Sequence, residues 1–306
     1  MPASALFRRL SSMLPTGQSL AVLYMMLGAM SATLGNTFLK HVALDLHPFE
    51  ITFFRCFFSL FILAPVLLRH GLIPLRTRRF GMHCLRGGLQ SFGMICSHWA
   101  IAIAPLAKIT ALSFTGPLFA TLLAAYFLRE RIRLRRIAAL LFGFSGALII
   151  VRPDTLDIDL GSGLALLGAF EFGITMIIIK MMTRTESALT LTIWLGLIST
   201  PITGAIAWFV WTTPTFEHLC WLFGFSATAT VSNLLAAHAV RLADMSVVMP
   251  IRFTRLIFAA LLGYLFFAEI PDLETWIGGA MIFAASLYVA YRERKVKQSQ
   301  LPPPSA

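Results

Sequence analysis

Residues 244–269 have the sequence DMSVVMPIRFTRLIFAALLGYLFFAE, an apolar stretch that contains two arginines. About 20 mainly apolar residues suffice to cross a bilayer, so this stretch is long enough to be a membrane-spanning helix. A guanidinium at the bilayer centre costs from about 3 to more than 10 kcal/mol, and it persists where it faces protein, water or a ligand. Arg252 and Arg255 share one face of a helix, and Pro250 before them removes one backbone hydrogen bond. We therefore expect this helix to form one wall of a buried cavity that tolerates anions.

The rest of the chain is strongly apolar as well. Its 306 residues are 58% hydrophobic and the mean hydropathy is +0.79, whereas a soluble domain is about 45–50% apolar. Ten apolar runs of spanning length are bounded by charged residues, proline or glycine. These runs are residues 19–39, 49–68, 85–104, 106–127, 134–151, 161–181, 188–211, 218–238, 245–267 and 273–291. The sequence thus predicts an all-α integral membrane protein with ten transmembrane helices.

The basic residues predict the orientation in the membrane. The net charge is +11, but Lys and Arg lie in short blocks between apolar runs, which excludes a nucleic-acid-binding face. Nineteen of the 25 lie on connections that face one side, and three (Lys40, Lys108 and Arg152) lie on the other. Basic connections stay on the cytoplasmic side. We expect a multi-pass protein of the bacterial plasma (inner) membrane with both termini cytoplasmic, whose basic loops contact anionic membrane lipids.

The two halves of the chain resemble each other weakly. Residues 128–151 align with residues 267–290 at an offset of 139, which pairs Glu130 with Glu269, and we interpret both glutamates as helix-end anchors. Five spans in each half is an odd number, so the second half must enter the membrane in the opposite direction. Inverted repeats are a recurring plan of secondary transporters.

The repeats divide the chain into four segments around a central cavity. At an offset of 140 near the start of each half, Lys40 matches Lys180, and the charge count places them on opposite sides of the membrane. The predicted segments are a cytoplasmic N-terminal segment (1–17), a first five-helix repeat (18–152), a second inverted five-helix repeat (161–292) and a basic, Pro-rich cytoplasmic tail (293–306).

Several motifs resemble the drug/metabolite transporter superfamily, EamA type, over about residues 18–292. They are Lys40 at the end of span 1, FFRCFFSLFIL around Arg55, APLAKITALSFTGPLFATLLAAYFLRERI (104–132), the pair Gly143 and Gly146, and VVMPIRFTRLIFAALLGYLFFAEIPDLETWIGGAMI (247–282). The resemblance implies ten helices in two repeats, a central cavity and transport of a small organic solute. Spans 4 and 9 look closest to alphaproteobacterial members, among which S-adenosylmethionine and riboflavin carriers occur. The second half departs from the pattern, since Leu256 stands where Pro117 would match.

We therefore expect a secondary transporter of a small organic metabolite, amino-acid-like or cofactor-like, such as S-adenosylmethionine or riboflavin, that works by alternating access. Export of amino acids or xenobiotics is the alternative activity, and a membrane scaffold or a lipid-modifying enzyme is the alternative class. The sequence has no Walker motif, no catalytic signature and no His/Cys cluster of metal-binding spacing. We expect no enzyme activity, no cofactor and no metal, and the sequence makes no prediction of oligomeric state.

The candidate substrate-binding residues are Arg252, Arg255, Glu171, Trp99, His98, Tyr24, Asn36 and Arg55. The two arginines of span 9 would neutralise an anionic group or gate the cavity, or they would pair structurally with Glu171 or with helix-end carbonyls. That glutamate would neutralise one of them, bind a cationic group or carry a coupling proton. Arg55 would either extend to the outer interface or face the cavity. The aromatic residues would stack on a ring of the substrate or pack between helices.

Overall fold

The structure, a computed structural model, describes residues 17–70, 76–127, 134–151, 159–183, 185–242 and 251–298, and every regular element in these ranges is helical. The helices are α1 (Gly17–Val42), α2 (Pro48–His70), α3 (Phe80–Ile103), α4 in two pieces (Leu106–Ser113 and Gly116–Phe127), α5 (Leu134–Val151), α6 (Leu160–Met182), α7 (Ala188–Ala207, followed by a 3₁₀ turn, Trp208–Val210), α8 (Phe216–Leu242), α9 (Thr254–Phe267) and α10 (Leu273–Gln298). The expected ten helices are confirmed. The ninth helix begins at Thr254 rather than at residue 245, and residues 243–250 lie outside the described ranges.

Six stretches are long and apolar enough to cross a membrane. They are Ser19–Val42, Pro48–Pro65, Leu106–Ala124, Leu160–Met182, Leu189–Val210 and Phe216–Ala236. Shorter apolar stretches occupy α5, α9 and α10. Helix α3, with 24 residues, is long enough but not apolar enough to be among the six, because it includes polar side chains such as His83, Arg86 and His98. Large apolar side chains such as Phe61 and Leu265 are exposed on the outside of the bundle, as a lipid-facing surface requires.

Local sequence explains where the helices break. Helix α3 ends at Ala104, which is extended, because the following Pro105 disfavours a helical conformation before it. Helix α4 is interrupted at Phe114 and Thr115, just before Pro117, which cannot donate a backbone hydrogen bond. Ser286 of α10 donates to the Phe114 carbonyl at 3.1 Å. A neighbouring helix thus satisfies a backbone group that the break leaves free.

The connection into α6 is held by a capped carboxylate. Asp159 accepts a hydrogen bond from the Gly161 N–H, and the Nζ of Lys108 lies 3.2 Å from its Oδ2. Burial raises the pKa of Asp159, but the hydrogen bonds from Gly161, Lys108 and Ser162 outweigh it and hold this pKa below its usual value. The carboxylate is therefore charged where a negative charge stabilises the start of a helix.

The helices pair mainly across the two halves of the chain. Helix α1 packs against α8, and in the same way α3 packs against α6. The pairs α5 with α10, α2 with α7, and α4 with α9 each join corresponding helices of the two halves. Exchanging helices 1–5 for helices 6–10 therefore reproduces the main pairings. The largest core cluster contains buried side chains from both halves, among them Leu39, Leu112, Leu256 and Ile282.

The backbones of helices α5 and α10 come into close contact at two glycines, Gly146 and Gly278. A Cβ added to Gly146 would lie 2.7 Å from the carbonyl oxygen of Gly278, and a Cβ added to Gly278 would lie 2.3 Å from that of Gly146. Both obstructing atoms belong to the backbone, so neither can move away by a change of rotamer. Small residues allow this close approach of helices in membranes.

We expect Gly146→Ala to destabilise the protein by about 1–3 kcal/mol, since overpacking forces the two backbones apart. The measurement is thermal unfolding of the purified protein in detergent. The matched control is Gly163→Ala on α6, where an added Cβ would meet nothing within 4 Å. Equal unfolding temperatures for the two variants would contradict the contact.

Candidate substrate cavity

A cavity of about 460 Å³ lies between the two halves of the bundle. Helices α1 to α4, α6 and α8 to α10 all contribute side chains to its wall. Small-molecule sites usually have a volume of about 300–1,000 Å³. Its lining combines four phenylalanines (Phe114, Phe172, Phe225 and Phe283) with small polar side chains such as Ser97, Thr110 and Ser232. The size and the mixed lining fit a small organic molecule.

The charged side chains that line this cavity are all arginines. Arg55 comes from α2, Arg252 precedes α9 and Arg255 lies in the first turn of α9. Among the described residues, no Asp or Glu lines the wall. The Nε of Arg255 is buried without a hydrogen-bond partner. The N-terminal end of α9 adds the positive end of a helix dipole, so the cavity is strongly electropositive.

Arg55 and His98 are held by neighbouring side chains at the cavity wall. The Arg55 guanidinium donates to the Sδ of Met94 at 3.1 Å and lies 5.9 Å from the centre of the Phe225 ring. The Nδ1 of His98 lies 2.9 Å from the Oγ1 of Thr52, whose only hydrogen goes to the Pro48 carbonyl. Nδ1 therefore carries the proton of this bond.

Five of the eight candidate residues line the cavity, and three do not. Those that line it are Arg252, Arg255, Arg55, His98 and Asn36, and those placed elsewhere are Glu171, Trp99 and Tyr24. The sequence left two positions open for Arg55, the outer interface and the cavity. In the structure Arg55 lines the cavity. The lining phenylalanines Phe172, Phe225 and Phe283 were not among the candidates, because an aromatic residue at helical spacing gives the same signal in an ordinary core.

Glu171 lies between α3 and α6, away from the arginines of α9. It is 7% exposed and packs against Gly93, whose missing side chain leaves room for the carboxylate. The Thr175 hydroxyl donates to it, and the cation that acts on it electrostatically is Arg86. Arg86 in turn donates to the Leu191 carbonyl at 2.8 Å. Within the described part of the chain, the expected pairing of Glu171 with the span-9 arginines is not observed.

Trp99 and Tyr24 pack against other side chains of the protein, which was the second of the two roles expected for the aromatic residues. The Trp99 ring meets the Phe49 ring edge-on at 5.5 Å and the His47 ring at 6.0 Å. Tyr24 meets the His238 ring edge-on at 6.1 Å, beside a small cluster of buried apolar side chains. Both rings therefore stabilise contacts between chain segments.

An ion pair joins several helix ends at one end of the bundle. The Nζ of Lys40, near the end of α1, forms a salt bridge with Glu269 just after α9, and it donates to the Ala104 carbonyl at 2.6 Å. The second carboxylate oxygen of Glu269 accepts from the Leu106 N–H at 2.8 Å. We call this set of four residues the Lys40–Glu269 latch. It ties the ends of α1 and α9 to the junction between α3 and α4.

The backbone at the end of α9 positions the carboxylate of this latch. Ala268 adopts a left-handed conformation (φ 53°) and its N–H donates to the Tyr264 carbonyl at 3.0 Å. The Glu269 N–H donates to the Gly263 carbonyl at 3.1 Å. The first of these bonds is that of the αL C-cap motif, in which glycine is the usual residue at the left-handed position. The helix end therefore holds Glu269 at a defined angle.

Comparison with known families decides the class of the protein. The model of the EamA-like transporter family matches residues 19–152 and again residues 159–291. The chain belongs to the EamA-like transporter family. It is a multi-pass membrane protein, and the resemblance to the drug/metabolite transporter superfamily is confirmed.

Named relatives of this EamA-family chain are transporters. The S-adenosylmethionine uptake transporter of Rickettsia bellii is 30% identical over 283 residues, which cover 92% of this chain and 97% of the relative. The riboflavin transporter of Vibrio cholerae is 32% identical over 241 residues, which cover 78% and 80%. A crystal structure with 15% identity superposes with a TM-score of 0.60 and covers 90% of this chain and 98% of its own. That likeness shows a shared fold.

Within the described ranges, no group of three or more His, Cys, Asp or Glu side chains is placed so that it could hold a metal ion. The side chains of the cavity can instead bind through guanidinium groups, hydroxyls, one imidazole and aromatic faces. These groups suit recognition of an organic solute.

Proposed function

We propose that this EamA-family chain is a secondary transporter that carries a small organic metabolite, cofactor-like or amino-acid-like, through the cavity by alternating access. The observation that supports it best is a cavity of metabolite size walled by helices from both halves. The names of the relatives, which include S-adenosylmethionine and riboflavin transporters, support a cofactor-like solute with a ring system. Binding at the interface of two halves lets a rocking motion expose the same site to either side.

We propose further that the chain consists of two inverted five-helix repeats, residues 18–152 and 161–292, with residues 1–17 and 293–306 in the cytoplasm. The double match of the family model supports this division. So do the helix pairings, which are largely preserved when the halves are exchanged. The excess of Lys and Arg on alternate connections supports the orientation in the bacterial inner membrane.

In this orientation the Lys40–Glu269 latch would lie at the outer end of the bundle, and we propose that it holds that end closed. The sequence alignment of the halves pairs these residues with Lys180 and Glu130, at cytoplasmic ends of their helices. A corresponding latch there would close the inner face in the opposite state. Glu130 lies outside the described residues.

The native cysteines test this orientation. Cys220, in the first turns of α8, is exposed, whereas Cys56 and Cys96 are buried. Because the connection before α8 is expected outside, a membrane-impermeant maleimide should label intact cells at Cys220. The measurement is mass tagging of the isolated protein, with Cys220→Ser as the control that abolishes it. Labelling of Cys220 only after permeabilisation would contradict the topology.

The transport activity itself is tested with the purified full-length chain in liposomes. Radiolabelled S-adenosylmethionine, riboflavin and amino acids are offered in turn, and we expect saturable, protein-dependent uptake of at least one. ATP should be unnecessary, since the sequence contains no Walker motif. If a folded, correctly inserted protein moves none of a broad metabolite panel, the carrier function is wrong and a scaffold role is favoured.

A further inference from the structure

We infer that the cavity selects organic anions, so that the transported solute carries a carboxylate or phosphate held by Arg252 and Arg255 beside an aromatic or apolar body. This inference rests on the proposed transport function and adds the charge class of the solute to it. Of the compounds in the names of the relatives, riboflavin is neutral, and S-adenosylmethionine combines one carboxylate with an ammonium and a sulfonium, so that its net charge is positive.

The first argument is the charge balance of the wall. Three guanidinium groups line the cavity, and an arginine side chain stays protonated in proteins. No acidic side chain of the described residues lines it with them. Glu171, the intramembrane carboxylate nearest in sequence to lining residues of α6, interacts with Thr175 and Arg86 instead. An empty cavity thus holds three positive charges that no lining carboxylate of the described ranges neutralises.

The second argument is the incomplete coordination of one guanidinium. The Nε of Arg255 is a buried donor without a partner, and an unsatisfied buried donor costs about 1–3 kcal/mol or more when charged. The fork of a guanidinium matches the paired oxygens of a carboxylate or phosphate. Arg252 lies three residues earlier, at the N-terminal end of α9, where the helix dipole also favours an anion. One anionic group could accept from the Arg255 Nε, pair with Arg252 and lie at the positive end of the α9 dipole.

The third argument is the apolar surface beside these arginines. Phe253, between the two arginines in sequence, lies 4.6 Å from the Phe283 ring and 6.1 Å from the Phe114 ring, centroid to centroid. Phe114 and Phe283 line the cavity. Arg55 contributes a third charge from α2, where its guanidinium lies over the Phe225 ring. Cations bordered by aromatic faces suit an amphipathic anion rather than an inorganic ion alone.

The experiment compares two pairs of compounds that differ mainly in charge, using the purified full-length protein and isothermal titration calorimetry. Flavin mononucleotide adds a phosphate to riboflavin, and S-adenosylhomocysteine lacks the sulfonium charge of S-adenosylmethionine. We expect the more negative member of at least one pair to bind about 10- to 100-fold tighter, the effect of a charge-assisted hydrogen bond. Raising the NaCl concentration should weaken the binding of that member more than the binding of its partner.

The variants Arg252→Gln and Arg255→Gln should reduce this preference to about threefold or less, since each loses a charged donor. Arg78→Gln is the matched control, because Arg78 is exposed and does not line this cavity. If a cavity variant does not fold, the test is made on the native protein, by comparing how NaCl weakens the binding of the two members of each pair.

The outcomes separate the two proposals. If the less negative member of each pair binds as tightly as its more negative partner, or if both cavity variants keep the native preference, the charge inference is overturned while transport can stand. If none of the four compounds binds and no panel solute is transported, both the inference and the transport function are overturned.

Discussion

Lys40→Met is expected to lower the rate of solute uptake by about tenfold or more. The exposed fractions of the two side chains in the Lys40–Glu269 salt bridge are only 12% and 16%. Removing one partner of a buried pair leaves an uncompensated charge that costs about 3–5 kcal/mol. Each 1.4 kcal/mol changes a conformational equilibrium about tenfold. In the proposed alternating-access cycle, the outward-closed state should therefore be strongly depopulated, and the cycle should slow at the step that forms this state.

Two measurements distinguish loss of this closed state from a general loss of structure. Uptake into proteoliposomes gives the rate. A Ser113→Cys substitution at the cavity wall, made in a Cys220→Ser background, reports access from outside through a membrane-impermeant maleimide. We expect Ser113→Cys to be protected when Lys40 is present and labelled when it is replaced by Met.

The controls use a second lysine pair and an exchange of charges. Lys108→Met breaks the pair with Asp159, whose side chain is 38% exposed, so a cost of only about 0–1 kcal/mol and little change in uptake are expected. The double exchange Lys40→Glu with Glu269→Lys should restore part of the activity. Equal uptake by Lys40→Met and Lys108→Met, with Ser113→Cys still protected, would show that the latch does not control access.

Ala229→Trp is expected to reduce uptake to the level of empty liposomes. Ala229 lies on α8 and lines the cavity, whose volume is about 460 Å³. A tryptophan side chain brings about 150–250 Å² of surface and would occupy the space that the solute needs. Ligand binding by calorimetry should be lost together with uptake.

The matched control on the same helix is Leu234→Trp, because Leu234 is 56% exposed and does not line the cavity. It should transport normally, and both variants should unfold at similar temperatures. The smaller substitution Ala229→Leu should give an intermediate rate. Normal uptake by Ala229→Trp would show that the solute follows another route.

The helices could be predicted because the bilayer fixes their length. Apolar runs bounded by charge, Pro or Gly gave ten spans whose ends agree with the observed helices to within a few residues, apart from one end and two starts. Helix α10 continues to Gln298, seven residues beyond the predicted end at residue 291. The two starts are those of α3, which begins at Phe80, and of α9, which begins at Thr254. In the latter case the apolar run at residues 245–253 showed no boundary, although Pro250 and the turn at Arg252 and Phe253 precede the helix.

The direction that each side chain faces was harder to predict. A charge at membrane depth must face protein, and this argument correctly directed Arg252 and Arg255 to the cavity. The same argument applies to Glu171, yet its partner is set by the rotation of α6, which places it against Gly93. His98 lines the cavity while Trp99 packs elsewhere, since successive residues point about 100° apart on a helix.

The latch had no signal in the local sequence. Lys40 and Glu269 are 229 residues apart, and each is an ordinary helix-end residue when taken alone. The weak alignment of the halves suggested that Glu269 was an anchor but gave no partner for it. Only the packing of α1 against α8 and α9 brings the two charges together.

The left-handed helix end at Ala268 limits how the length of α9 can change. Its two hydrogen bonds lock the direction of the Glu269 carboxylate to the rotation of α9. Inserting or deleting one codon between Thr254 and Phe267 would turn that carboxylate by about 100° relative to the start of the helix. Length variation should therefore be tolerated after Glu269, in the connection to α10, and selected against within α9.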